Sequence, residues 1–469
     1  MEIGGRVLEP TADEFRRLLS TVVDYLCATV ESLPDAPVAR SDGIAELLAD
    51  PRLRQAPQEA GRPLGELLEV IDRAASKGFN PSHPGLLGFV PGGGIVTAGV
   101  ADLVADVLNR YTGQATPSPG LVAMETDVLR WLSDLFDLPE EAAGILTTGA
   151  SLAVLSALIT ARTALLPADF LDGTIYVTAQ THAHVAKAAR LLGFPSEAVR
   201  LVALDAGLRM DPAALQASIT ADRAAGRRPF FVVASAGTTN TGRVDPLAAV
   251  ADIAADKGIW LHVDAAYGGF FQLTERGRKA LTGIERADSL ALDAHKGMFL
   301  PFGTGCLLVR DGRLLRQAHS MGDADYLQDL RGSTLPDFAD YGPELTRDFR
   351  GLRLWLPLQL HGVAAFREML DEKLDLARFA HRELSTVPGL ILSEPPELST
   401  FCFRLSSEDA TAELLRRVND EGRVYLSSTR IDGQFVIRLC VLNFRTSLSQ
   451  VSDAIDSLCR HTAGLAAEM

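Results

Sequence analysis

The sequence has few cysteines, and none of them are paired at short spacing. The five are Cys27, Cys306, Cys402, Cys440 and Cys459. An odd number of scattered cysteines without a CxxC motif argues against a disulfide framework and a cysteine-based metal site, and favours reduced thiols in a cytoplasmic protein. An HExxH motif is absent as well, so we expect no metal centre.

Long apolar runs and blocks of basic residues are also lacking. No apolar stretch reaches the roughly 18 uninterrupted residues of a membrane span, and the N-terminus lacks the basic-then-apolar layout of a signal peptide. The net charge is −15, which argues against a nucleic-acid partner and against binding to an anionic membrane surface. We therefore expect a soluble globular protein with neither kind of partner.

What is present is an alternation of strand-like and helix-like segments between about residues 144 and 309. This alternation is typical of an α/β fold with a mostly parallel central sheet and helices on both faces. The strand candidates are residues 145–147, 174–178, 199–202, 230–234, 259–263, 289–292 and 305–309. The helix candidates between them are residues 151–163, 184–192, 212–220 and 246–257.

Helical segments flank this α/β region. Residues 11–33 carry an amphipathic pattern that begins at Thr11, which predicts a helix packed on the large domain or on a second subunit. A long helix near residues 352–382 leads to a C-terminal unit with strands near 400–405 and 434–441. We predict three parts: an N-terminal helical arm (1–75), a large domain (76–355) and a small C-terminal α/β domain (356–469).

Polar residues follow two neighbouring strand candidates. Asp264 ends one strand, and His295 and Lys296 follow another. Ligands of parallel α/β sheets collect at the carboxyl ends of strands, so chemistry is expected here. A simple ion pair between Asp264 and Lys296 is the alternative.

Three turns could surround a cofactor. Residues 147–151 follow a strand and open a helix, where backbone N–H groups and the helix dipole can bind phosphate; capping without a ligand is the alternative. His182 sits at a strand end, where it could stack on a flat ring, whereas His184 is interpreted as a solvated residue of the next helix's first turn. Residues 237–239 supply a turn of small residues. The glycines at 92–94 lack the ending of a nucleotide-binding loop.

Taken together, these segments resemble a known family. In order they are the turn at 148–151, His182, Gly237-Thr238-Thr239, the HVDAAYGG segment at 262–269 and the DAHK segment at 293–296. In order and spacing, over about residues 70–445, the chain resembles the group II pyridoxal-phosphate-dependent decarboxylases, the family of aromatic-L-amino-acid decarboxylase. The N-terminal helix is similar to the arm that locks the dimer in that family.

The resemblance implies a fold of the aspartate-aminotransferase type (fold type I) and pyridoxal 5'-phosphate (PLP) as cofactor. Lys296 is then the lysine that forms the Schiff base with the cofactor aldehyde. Asp264 pairs with the ring nitrogen and keeps it protonated, and His182 stacks on the ring. The other expected cofactor-binding residues are Ala150, Ser151, Thr239, His262, Ala266, Asp293 and His295.

Two further positions bear on the reaction. Tyr326 falls where the family keeps a catalytic tyrosine, expected to return a proton to the α-carbon after CO2 leaves. Because Tyr326 and His182 are both retained, the resemblance implies simple decarboxylation. Gly297 stands where the family usually has Trp, and losing that indole would open on the order of 100 Å3. With small residues at Gly92 and Gly113, this predicts a pocket for a bulky or modified amino acid as well as for an aromatic one.

The sequence thus predicts a cytoplasmic homodimer, with active sites at the interface, that converts an L-amino acid to its amine and CO2. Decarboxylation coupled to oxidative deamination, which yields an aldehyde, or another PLP lyase reaction is the alternative within the enzymes. A cofactor-binding scaffold without catalysis is the alternative outside them, and retention of Lys296, Asp264 and His182 argues against it.

Overall fold

The structure is a computed structural model that describes residues 8–320, 322 and 334–468. Its first helix, α1 (Ala12–Ser32), begins as the sequence predicts. The Thr11 hydroxyl accepts a hydrogen bond from the Glu14 backbone N–H, and the Glu14 carboxylate accepts one from the Thr11 N–H, forming a capping box. No α1 residue is buried. The elements that follow are β1 (Ala39–Arg40), α2 (Ile44–Ala49), α3 (Leu64–Ala75), β2 (Gly78–Phe79), α4 (Val96–Leu108) and α5 (Pro119–Leu135).

A seven-stranded sheet forms the centre of the molecule. Its strands are β3 (Ala143–Thr147), β4 (Gly173–Thr178), β5 (Val199–Val202), β6 (Arg228–Ser235), β7 (Trp260–Asp264), β8 (Ser289–Asp293) and β9 (Gly305–Val309). The helices in this region are α6 (Ala150–Leu165), α7 (His184–Leu191), α8 (Pro212–Ala224), α9 (Leu247–Lys257), α10 (Glu275–Ala280), α11 (Ala294–Gly297) and α12 (Gly312–His319). All seven strands predicted from the sequence are present.

The strand order is β3-β9-β8-β7-β6-β4-β5. β9 runs antiparallel to both of its neighbours, and the remaining pairs are parallel. Every residue of β4, β7, β8 and β9 is buried, because apolar clusters cover both faces of the sheet. The predicted fold class is confirmed, and the carboxyl ends of β6, β7 and β8 meet at one edge of the sheet.

A second, smaller sheet follows. The elements of this C-terminal part are α13 (Gly351–Leu384), β10 (Ile391–Leu392), β11 (Thr400–Arg404), α14 (Glu408–Asp420), β12 (Ser427–Ile431), β13 (Gln434–Cys440) and α15 (Leu448–Glu468). The four strands pair antiparallel in the order β10-β11-β13-β12. The division into three domains remains a prediction, since the proposed boundary between residues 355 and 356 falls inside α13.

The small sheet is fastened to the loop that follows β6. The Arg438 guanidinium, on β13, donates to the backbone carbonyls of Thr239 and Asn240, and the Asn240 side chain bonds to Gln180 and Thr429. The small sheet therefore supports one wall of the edge where β6, β7 and β8 end. Within the described ranges, no helix is long and apolar enough to cross a membrane.

Candidate active site

A cavity of about 310 Å3 lies at this edge of the sheet. It is bounded by the carboxyl ends of β6, β7 and β8 and by the start of α6. Nine of the ten residues that the sequence predicts to bind a cofactor line it: Ala150, Ser151, His182, Thr239, Asp264, Ala266, Asp293, His295 and Lys296. A cavity at the carboxyl ends of parallel strands is the usual ligand site of such folds.

Asp293 connects the lysine to the start of α6. Lys296 Nζ lies 2.9 Å from Asp293 Oδ2, while Asp293 Oδ1 accepts a hydrogen bond of 2.7 Å from the Ala150 backbone N–H. His295 flanks the same carboxylate at 3.6 Å and contacts the Thr304 carbonyl oxygen through Nδ1 at 2.9 Å. The amine is therefore held inside the cavity beside a buried carboxylate.

The start of α6 is suited to an anion. Gly149 is the N-cap and provides no side-chain cap, and Thr148, Gly149, Ala150 and Ser151 all line the cavity. The Ala150 N–H already donates to Asp293 Oδ1, but the helix dipole and the other N–H groups of this turn favour a phosphate there.

Asp264 is a buried carboxylate with partners on both oxygens. Oδ1 accepts a hydrogen bond of 3.2 Å from the Ala266 backbone N–H, and Oδ2 lies 3.1 Å from His184 Nε2. Burial by itself raises the pKa of Asp264, but the neighbouring His184, Lys296 and His262 outweigh burial and hold it well below its usual range. Asp264 is thus an anion that can pair with a protonated ring nitrogen.

His182 presents an imidazole to the cavity. Burial, followed by the charge of neighbouring His184, lowers the pKa of His182 below its usual value. Its Nδ1 accepts a hydrogen bond of 3.2 Å from the His184 backbone N–H. A neutral, oriented ring of this kind can stack on a flat cofactor.

Two histidine predictions are wrong. His184 is not solvated: only 7% of the residue is exposed, because its side chain turns inward against Asp264. His262 does not line the cavity. It is fully buried two residues before Asp264 on β7, with Nδ1 2.8 Å from Ser289 Oγ and its ring stacked on Phe231. Since the cavity opens at the strand end, a side chain two positions earlier lies deeper in the core.

The predicted enlargement at Gly297 is also wrong. A β-carbon on Gly297 would lie 2.7 Å from the Phe270 β-carbon, so the space is already filled. Gly92 and Gly113 are equally close-packed, since β-carbons there would meet the His295 carbonyl oxygen at 2.1 Å and the Tyr111 hydroxyl at 2.5 Å. These glycines therefore permit close backbone packing.

Sequence reasoning also missed several residues of the cavity wall. Gln180, Ser235 and Tyr267 line it. The Tyr267 hydroxyl contacts Ser399 Oγ and accepts hydrogen bonds from the Ser399 N–H and the Thr400 hydroxyl, which ties this wall to β11. Tyr267 stands in the quoted HVDAAYGG segment, but its partners are distant in sequence. Tyr326 lies outside the described residues.

The site fits PLP on its own chemistry. It combines a lysine amine beside Asp293, a buried ionised carboxylate, an imidazole facing the cavity and the N-terminal turn of a helix, which match the aldehyde, ring nitrogen, ring face and phosphate of that cofactor. Within the described ranges, no cluster of His, Cys, Asp and Glu could hold a metal ion.

Comparison with known proteins agrees with this chemistry. The family model described as "Pyridoxal-dependent decarboxylase conserved domain" matches residues 49–406. The chain is 34% identical to an aromatic-L-amino-acid decarboxylase of Bacillus atrophaeus, over 95% of this chain and 94% of the relative. It is 31% identical to an L-2,4-diaminobutyrate decarboxylase of Rhizobium meliloti (strain 1021), over 96% of this chain and 88% of that relative.

Among solved structures, the crystal structure of Oryza sativa TDC with PLP and tryptamine is similar with a TM-score of 0.92 and 28% identity, over 98% of this chain and all of that one. The cofactor is therefore PLP. The chain belongs to the pyridoxal-dependent decarboxylase family and is a PLP-dependent amino-acid decarboxylase.

Proposed function

We propose that the cavity around Lys296 and Asp264 is the decarboxylation site and that each residue has a distinct role. Lys296 would hold the cofactor aldehyde through Nζ. Asp264 holds a proton on the ring nitrogen, and His182 packs on the ring face. The observation that carries this proposal is that Lys296, Asp264 and the first turn of α6 line one cavity.

The remaining cofactor contacts follow from the same cavity. The turn at Ala150 and Ser151 binds the phosphate, mainly through the Ser151 N–H because the Ala150 N–H donates to Asp293 Oδ1, with His295 and Thr239 beside it. Bound PLP supplies the electron sink for the pair left when the substrate carboxylate departs as CO2. Tyr326 returns a proton to the α-carbon, which completes the amine product.

The substrate is an L-amino acid with an aromatic or other bulky side chain. The similar proteins named as an aromatic-amino-acid decarboxylase and as a TDC bound to tryptamine support the aromatic class, although a relative named for diaminobutyrate is nearly as similar. Close packing at Gly297 removes the reason to expect a large conjugate. Aldehyde formation by oxidative deamination is not favoured, because His182 and Tyr326 are both retained.

The enzyme works as a cytoplasmic homodimer with active sites at the interface. Apolar side chains of α1 and α4 support a dimer, because residues such as Leu26 (50% exposed) and Val107 (60% exposed) face solvent in a single chain. All five cysteines are unpaired, as suits a reducing compartment.

Sedimentation of the holoenzyme tests the dimer: Val107→Asp should yield monomer, and an unchanged dimer would exclude α4 from the interface.

Product analysis tests the function. Purified holoenzyme is incubated with a panel of L-amino acids, including aromatic, diamino and conjugated ones, with and without oxygen, and products are identified by mass spectrometry. Amine from an aromatic amino acid, equal in both atmospheres and absent with Lys296→Ala, is expected. Aldehyde and hydrogen peroxide in place of amine would overturn the assignment.

A further inference from the structure

His184 lies between the two residues proposed to touch the cofactor ring. Its Nε2 is buried and lies 3.1 Å from Asp264 Oδ2. Its backbone N–H donates to His182 Nδ1 at 3.2 Å, and the two imidazole centroids are 4.4 Å apart. One residue therefore contacts both Asp264 and His182.

The contact with Asp264 has a specific consequence for that carboxylate. Oδ1 is occupied by the Ala266 backbone N–H, and Oδ2 has His184 beside it. The contact between His184 Nε2 and Asp264 Oδ2 is electrostatic, because its geometry is not that of an aligned hydrogen bond. Against the effect of burial, His184 is the strongest influence that lowers the pKa of Asp264. A buried carboxylate needs such a partner to stay ionised.

The contact with His182 selects the tautomer of its neutral imidazole. Because Nδ1 of His182 accepts from a backbone N–H, the proton of the neutral imidazole is on Nε2. The same contact restrains the orientation of the ring that faces the cavity. The backbone N–H of His184 thus acts on His182, and its side chain acts on Asp264.

We propose that His184 is a positioning residue of this decarboxylase, which keeps Asp264 ionised and oriented toward the cofactor ring nitrogen while it orients His182. His184 also lines the cavity, but its proposed role is exercised through Asp264. The inference rests on the role proposed above for Asp264. It assigns a function to a residue that the family resemblance did not single out.

A pair of amide substitutions isolates the side-chain contact. In His184→Gln the amide nitrogen reaches about as far as Nε2 does, whereas in His184→Asn it is one carbon too short. Both variants keep the backbone N–H that binds His182. His381→Gln is the control, because His381 also bonds through Nε2, to the Ser393 carbonyl oxygen, but in the small C-terminal unit.

The measurements are kcat, KM, the affinity of apoprotein for PLP from its visible absorption, and the thermal unfolding of apoprotein. We expect His184→Asn to lower kcat about 10- to 100-fold and to weaken PLP binding, with KM changed less than about threefold, the size expected for loss of one charge-assisted contact. His184→Gln should retain kcat within about threefold, and His381→Gln should match wild type.

Two results would overturn the inference. Equal values of kcat and PLP affinity in the Asn and Gln variants would show that the Nε2 contact does not matter. An Asn variant that is only less stable, with wild-type kcat per bound PLP, would show a structural role alone. Asp264→Ala is measured in the same series: if it retains activity, the proposed role of Asp264 fails, whereas if it is inactive and the two amides behave alike, only the role of His184 fails.

Discussion

Gly297, the residue directly after Lys296, packs against Phe270. The phenylalanine occupies the space beside Gly297 so closely that a β-carbon there would lie 2.7 Å from its own β-carbon. The backbone directly after Lys296 is therefore clamped against the segment that follows β7. This packing fixes the position of the lysine, and it explains why the absence of a large side chain at residue 297 does not widen the cavity.

Gly297→Ala should destabilise the fold. The added methyl group meets a buried β-carbon that cannot rotate away, and overpacking of this kind costs about 1–3 kcal/mol. Chemical denaturation of the apoprotein measures the effect. Gly65→Ala in the first turn of α3 is the control, since nothing lies within 4 Å of its β-carbon position and alanine should not destabilise that helix. Equal stability of Gly297→Ala and wild type would mean that the contact can relax.

Borohydride reduction should attach the cofactor permanently to Lys296. The purified holoenzyme should be yellow, and reduction should remove the colour and leave one modified peptide that contains residue 296. Lys296→Ala should give no labelled peptide, while Lys187→Ala, which removes an exposed lysine of α7, should label like wild type. Peptide mass spectrometry checks this. A label on another lysine would reassign the cofactor-binding residue.

Asp264→Ala should bind PLP but lose about 10²- to 10³-fold or more in kcat, because the charge that stabilises the protonated ring nitrogen is gone. Asp264→Asn, which keeps the shape and removes the charge, should be similarly impaired. Steady-state kinetics on PLP-saturated enzyme provides the test. Near-normal turnover of either variant would make the carboxylate structural.

The sequence predicts the parts of the site that depend on local rules. Asp264 and Lys296 follow apolar strands, and the strand-end rule brings them to one edge of the sheet, where the structure has them. The inward turn of His184 depends on how α7 packs against the sheet, which no local pattern records. Similarly, Phe270 fills the space at Gly297 only because of tertiary packing, and the Tyr267 contacts with Ser399 and Thr400 join segments far apart in sequence.

His262 should make the fold sensitive to acid. Burial lowers the pKa of His262 from 6.5 to about 4, so the unfolded chain takes up a proton before the folded one does. The stability that depends on neutral His262 is fully present above about pH 6.5 and is lost as the pH falls toward 4. This loss lowers the free energy of unfolding by about 3 kcal/mol.

His262→Phe removes the titrating group and retains a ring that can stack on Phe231. Urea denaturation at several pH values between about 7 and 4.5 compares the two proteins. The free energy of unfolding of wild type should fall more steeply with decreasing pH than that of the variant. Parallel profiles would show that His262 is not the group responsible.

Tyr326→Phe should change the product of the reaction. The tyrosine lies outside the described residues, and its role as proton donor comes from its place in the sequence. Without the phenol the α-carbon is protonated more slowly, so reaction with oxygen can compete and aldehyde should replace part of the amine. Mass spectrometry of the products with and without oxygen measures the ratio, and Tyr341→Phe, a change outside the Lys296 cavity, is the control. An unchanged ratio in Tyr326→Phe would remove this tyrosine from the mechanism.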